Sequence, residues 1–239
     1  MQKQTPGQIF LADQRGIKDS SQFRRFSTFN FGEYKNPDKE SFGSLYVFNE
    51  EQVAPSQNLT FTVEADSYII LIPITGALEL IDPAGNATAV DVEEMYIGQI
   101  NAGHSYTIAN PYKTEIISFL QLWLKAASSG PEIKSQLCRF HLEAEPNQLI
   151  ELTKESSLAD NALRLPFSLG IGQFDGRQEA LYTLKKQQSQ QFFAFIIAGA
   201  FEIEGRLLHE KDGLALWDVE EVELEALSNN ALVLTLELL

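Results

Sequence analysis

Cysteine, histidine, tryptophan and positive charge are all scarce in this chain of 239 residues, which holds one Cys, three His, two Trp and 18 Lys plus Arg. The single thiol, Cys138, excludes an intrachain disulfide and suits a reducing compartment. His104, His141 and His209 stand alone, with no His-x-His, His-Glu-x-x-His or Cys-x-x-Cys spacing, so none of the usual transition-metal patterns is present. With 33 Asp plus Glu the formal net charge is −15, and such a polyanion repels phosphate backbones and anionic lipid surfaces. Nucleic acid and membranes are therefore not expected partners. No stretch approaches the ~18 uninterrupted apolar residues of a membrane span, and the first ten residues lack a signal-peptide core, so a cytoplasmic location is expected. There is no Gly-x-Ser-x-Gly elbow, Cys138 has no neighbouring base, and Gly170-Ile-Gly172 lacks the following helix of a phosphate-cradling loop.

What is present reads as β structure. Hydrophobic residues make up 44% and charged residues 21%, which is the composition of a globular protein. Residues 21–34 interleave Phe23, Phe26, Phe29 and Phe31 with polar residues, which suits short strands with aromatics plugging the edges of a core. Alternation or β-rich apolar runs follow at residues 59–64, 68–74, 76–81 and 115–124. The segment Asp82-Pro-Ala-Gly-Asn86 has turn chemistry. Residues 125–148 read as a connector, with a helical turn expected over residues 132–138. Strands resume at residues 168–174, 179–184, 191–197, 200–204, 213–218, 222–227 and 231–238.

An internal repeat organises this list. Residues 69–80 read IILIPITGALEL and residues 192–203 read FFAFIIAGAFEI, each an apolar strand, a glycine, then Ala-x-Glu-x. Gly76 and Gly199 lie about half the chain apart, and glycine suits a tight reversal of one strand onto the next. Two copies of one β-barrel in tandem are expected, residues 1–130 and 131–239.

Several stretches, in order, then identify a likeness. Arg25-Phe26-Ser-Thr-Phe29-Asn-Phe31-Gly-Glu-Tyr34, Phe42-Gly-Ser-Leu-Tyr-Val-Phe-Asn49-Glu-Glu-Gln-Val53-Ala-Pro55, Asn101-Ala-Gly103 and Gln121-Leu-Trp123 resemble the motifs of the pirin-related bicupins, the group with the bacterial quercetin 2,3-dioxygenase-like proteins. The resemblance runs from about residue 9 to the end. It implies an all-β fold of two tandem cupin (double-stranded β-helix, jelly-roll) barrels.

It also implies a metal, usually iron, held in the first barrel by a His-x-His and a His-x-Glu pair. Counting back from Gly76 puts the first pair at Thr62 and Glu64, and counting on from Ala102-Gly103 puts the second at Ile108 and Asn110. The family ligands do not carry over, so neither iron nor another divalent metal is expected as cofactor, and no catalytic residue is assigned. Thr62, Glu64, Ile108 and Asn110, with Tyr106 two residues before Ile108 on the same strand face, become candidates for lining a cavity. Glu64 either points into the barrel mouth, where an apolar setting would raise its pKa, or faces water at a strand edge. Lone His104 reads as a loop residue. The leading expectation is a non-catalytic pirin-like bicupin that binds a small molecule in its N-terminal barrel or serves an interaction role. The alternative is a metal-dependent dioxygenase of the quercetin 2,3-dioxygenase type with a site rearranged around Glu64, His104 and Asn110. A protein–protein module, which the family's eukaryotic transcription cofactors imply, is a third.

Overall fold

The computed structural model describes residues 4–126, 134–153, 165–185 and 190–239. In chain order its strands are β1 (Gly7–Phe10), β2 (Gly16–Asp19), β3 (Phe23–Ser27), β4 (Leu45–Val53), β5 (Asn58–Thr62), β6 (Ser67–Thr75) and β7 (Leu78–Ile81). Next come β8 (Ala87–Val90), β9 (Glu94–Ile100), β10 (Ser105–Ala109), β11 (Ile117–Lys125), β12 (Ser135–Arg139), β13 (Ile150–Glu151) and β14 (Phe167–Phe174). The last are β15 (Glu179–Thr183), β16 (Gln191–Ala198), β17 (Ala200–Ile203), β18 (Arg206–His209), β19 (Gly213–Trp217), β20 (Glu221–Ala226) and β21 (Ala231–Leu238). Among the described residues no helix is long and apolar enough to cross a membrane.

Two compact units result, Arg15–Arg139 and Met1–Gln14 with Phe140–Leu239. In the first, a sheet ordered β12-β9-β6-β11-β4-β3-β2 packs on a sheet ordered β5-β10-β7-β8. The second repeats this with β1-β19-β16-β21-β14-β13 and β15-β20-β17-β18. Each pair of sheets closes over its own apolar cluster. Val47, Ile69, Phe119, Leu80 and Ile108 meet in one, and Phe192, Ala194, Leu214, Phe201 and Leu224 in the other. Alternation along each strand supplies the inward side chains, as a half-buried sheet requires.

The repeat is real, and its glycines do something other than reverse a strand. Strands β6 and β7 do not pair; they belong to different sheets, and so do β16 and β17. Gly76 and Gly199 are corners at which the chain crosses from one sheet to the other, with φ of 73° and 76°. A Cβ at Gly76 would lie 2.9 Å from Ile117 Cγ2, and one at Gly199 would lie 2.4 Å from Ser228 Oγ. Both the left-handed backbone and the close approach call for glycine.

The boundary expected between residues 130 and 131 is corrected. That point lies outside the described residues, but β12 follows it and still belongs to the first unit, where it pairs with β9. The helical turn expected over residues 132–138 is likewise a strand from Ser135 onward, its first two positions lying outside the described residues. At the other end β1 completes the second unit by pairing with β19. Each six- or seven-stranded sheet thus recruits an edge strand next to the equivalent β9 or β19, covering backbone groups otherwise open. Strand β12 has no fully buried residue, so it carries no hydrophobic alternation by which to recognise it.

Candidate functional site

The five candidate residues are only partly brought together. On β5 the inward side chains are Leu59 and Phe61, followed by Val63, all in the first unit's core. Phe61 stands opposite Tyr106 in the β5–β10 register and stacks on it, with ring centroids 5.4 Å apart. Thr62 and Glu64 therefore face outward and are exposed. Thr62 shares a 2.7 Å hydrogen bond with the Ser105 hydroxyl across the strand pair. A one-residue offset on a strand exchanges its faces, which is why counting from Gly76 aims these two side chains inward and the pairing turns them out. Tyr106 and Ile108 do point into the core, at 1% and 0% exposure. Asn110 is buried as a backbone clip: its Nδ2 donates to the carbonyls of Val53, Ala54 and Glu115, and its Oδ1 accepts from the Tyr112 N–H.

This set does not fit a divalent metal. Thr62 and Glu64 lie on the opposite strand face from Ile108, which has no donor atom, and both ends of the Asn110 amide are already engaged. His104, His141 and His209 are all exposed. Among the described residues no group of three or more His, Cys, Asp and Glu side chains is placed to hold a metal ion.

The polar chemistry of this barrel lies on the opposite sheet. Strand β4 turns Val47, Asn49, Glu51 and Val53 inward, and β11 turns in Phe119, Gln121 and Trp123; Asn49 faces Gln121 and Glu51 faces Phe119 across the ladder. Asn49, Glu51 and Gln121 are each 0% exposed. The Tyr106 hydroxyl accepts from Trp123 Nε1 at 2.8 Å and from Gln121 Nε2. Burial, above all, pushes the Tyr106 phenol well above its ordinary pKa. Arg25 reaches in from β3, its guanidinium paired with Glu51 and lying 4.7, 5.1 and 5.2 Å from the ring centres of Phe31, Phe61 and Phe23. Aromatic faces receive such a cation well.

Glu51 is the unusual group. Burial raises its pKa from 4.5 to about 7, even though Arg25 and the Asn49 amide favour its ionised form. Its Oε2, the Asn49 Oδ1 and the Gln121 Oε1 are buried and have no hydrogen-bond partner among the described residues. Three acceptors on neighbouring inward positions thus lack donors, an arrangement that is costly unless something supplies them. None of the three entered the sequence reading as a site residue. The signal was there, because Asn49 and Glu51 interrupt an inward row of valines and Gln121 an inward row of aromatics.

Comparison with known proteins places these features. Residues 166–238 match the model of the quercetinase C-terminal cupin domain. A putative quercetin 2,3-dioxygenase of Pasteurella multocida is 24% identical over 211 residues, covering 88% of this chain and 90% of that protein. The quercetin 2,3-dioxygenase of Escherichia coli K12 is 22% identical over 223 residues, 93% of this chain and 95% of that one. The crystal structure of YhhW from Escherichia coli superposes with a TM-score of 0.84 at 19% identity, covering 98% of both chains. The same bacterial pirin in complex with nickel(II) gives 0.82 at 20% identity, covering 98% of this chain and 99% of that one.

Proposed function

Because this chain is a pirin-family bicupin, we propose that it is a non-catalytic, cytoplasmic, small-ligand-binding member whose first barrel holds no divalent metal. One observation carries the reading. Positions facing the barrel interior on β5 and β10 are Phe61, Tyr106 and Ile108, whereas the hydrogen-bonding capacity sits opposite, on Asn49, Glu51 and Gln121, as acceptors in want of donors. A small molecule rich in N–H or O–H groups suits those acceptors, and a metal ion beside the Arg25 guanidinium does not. Purified protein, incubated with Fe(II), Ni(II) or Cu(II) and desalted, is expected to retain substoichiometric metal and to leave quercetin unconsumed. Stoichiometric metal with quercetin turnover would overturn the reading.

One observation favours a second reading, a dioxygenase-type enzyme with a rearranged site. A buried carboxyl titrating near 7 is suited to acid–base work. That reading requires flavonol turnover that Glu51→Gln abolishes.

A further inference from the structure

The second barrel carries a groove beside its edge strand. It has a volume of about 400 Å³ and runs along the edge strand β15 beside β13 and β14. The register explains why the inner wall differs there. Trp123 stands opposite Ile69 in the first barrel, and Glu237 stands opposite the equivalent Phe192 in the second. Asn49 stands opposite Gln121, and Gly170 opposite the equivalent Thr235. Glu51 stands opposite Phe119, and Gly172 opposite the equivalent Val233. Where the first barrel sends in an indole, an amide and a carboxyl, the second has one carboxyl and two glycines.

The groove is built from connected polar groups rather than from loose surface. Glu237 is 0% exposed and its carboxyl accepts from the Tyr182 hydroxyl at 2.8 Å and from the Lys185 backbone N–H at 2.8 Å. Ser168, 4% exposed, donates to Glu151 Oε1 at 3.3 Å and lies 3.4 Å from the Thr153 hydroxyl. The Lys185 ammonium closes on the same Glu151 oxygen. Leu149 and Leu181 are among the groove's lining residues, and Leu181 is 58% exposed.

We infer that this groove binds a small organic amine with an apolar tail, the ligand's ammonium taking the place beside Glu151 and Ser168 that the Lys185 ammonium holds here. The chain's own ammonium already shows what the acceptors receive. Glu151 and Glu179 line the groove, Glu237 lies behind it, and Lys185 is the one cation among the described residues that line it, so the charge of the described lining favours an entering cation. The Lys185–Glu151 pair is solvent-accessible, at 45% and 34% side-chain exposure, and pairs of that kind yield readily to a competitor. The tail lies along Leu149 and Leu181, shielding apolar surface that otherwise faces water.

This inference goes beyond the reading of the first barrel and does not depend on it. Three probes of one shape test it, pentylamine, pentanol and pentanoate, titrated into the full chain by NMR with amide shifts assigned for residues 168–185. Pentylamine is expected to shift these amides and the other two probes to do so at least about tenfold more weakly. Lys185→Gln removes the internal competitor and is expected to tighten pentylamine about threefold or more. Glu151→Gln is expected to weaken it about tenfold. Both positions are accessible, and an unchanged melting curve confirms that each variant folds. Pentanoate binding that Lys185→Gln weakens would overturn the inference in favour of an anion site. Equal binding of all three probes, or pentylamine binding indifferent to Glu151→Gln, would overturn it in favour of a merely apolar groove. Metal content and quercetin turnover test the first barrel separately.

Discussion

The two barrels share strand order and sheet corners, and they treat a buried carboxyl in opposite ways. Glu51 of the first lies against the Arg25 guanidinium, with Phe23, Phe31 and Phe61 around that cation. Glu237 of the second is held by a phenol and a backbone N–H, with glycines on the neighbouring strand. The first interior is thereby lined with large rings and a charge pair beside acceptors that lack donors among the described residues, and the second unit has a groove beside its edge strand. A shared frame constrains where apolar residues must point, since they supply most of the stabilisation. It leaves the inward polar positions free to take quite different chemistry.

The comparison is broken most forcefully at Arg25. Replacing Arg25 by Met leaves Glu51 buried beside apolar groups, and unfolding in urea at pH 8 is expected to show a loss of about 3–5 kcal/mol. The loss is smaller at pH 5, where Glu51 is protonated. A cost below ~1 kcal/mol at both pH values would show that Arg25 does not compensate the buried Glu51 carboxylate.

Glu51→Gln sharpens the same contrast through pH. The folded pKa of about 7 lies above the ordinary 4.5, so the protonated form is favoured by folding. The contribution of Glu51 to stability is therefore fully present below pH 4.5 and lost as pH rises through 7. Relative to the wild type, Glu51→Gln is expected to gain on the order of 2 to 3 kcal/mol between pH 5 and pH 8. A constant difference across that range would refute the raised pKa. In the second barrel Tyr182→Phe removes one donor to Glu237 and is expected to cost about 1 kcal/mol, measured by denaturant midpoint. The smallest effect belongs to the double change Thr62→Ala and Glu64→Ala. Both side chains face water, so stability is expected to stay within about 0.5 kcal/mol of wild type. A larger loss would mean that they reach the core after all.

Most strands were legible because buried strands write their alternation into the sequence. Residues 59–62, 69–75, 78–80, 192–198, 200–203 and 231–238 fall on strands of the structure. The edge strands β1, β12 and β13 were not, because a half-exposed edge needs little apolar patterning and its partner is chosen by the sheet. The candidate site was legible in part. Tyr106 and Ile108 point inward as their strand period says, and the alternation with Leu59, Phe61 and Val63 turns Thr62 and Glu64 outward, which counting back from Gly76 alone did not respect. Asn110 illustrates another limit: an amide beside a strand end gives no sign that it will bind three carbonyls from two chain segments.

By itself, the sequence determined the two-fold β repeat and the absence of histidine spacing for a metal. It also set the formal net charge of −15. Those are properties of composition and of short-range period, which each residue carries wherever the chain goes. Only the tertiary structure decided that Arg25, Glu51, Asn49 and Gln121 meet inside one barrel, and that Ser168, Tyr182, Lys185 and Glu237 meet in the other. These side chains come from strands distant in sequence and adjacent in the sheet, and their separation along the chain says nothing of which acceptor ends beside which donor.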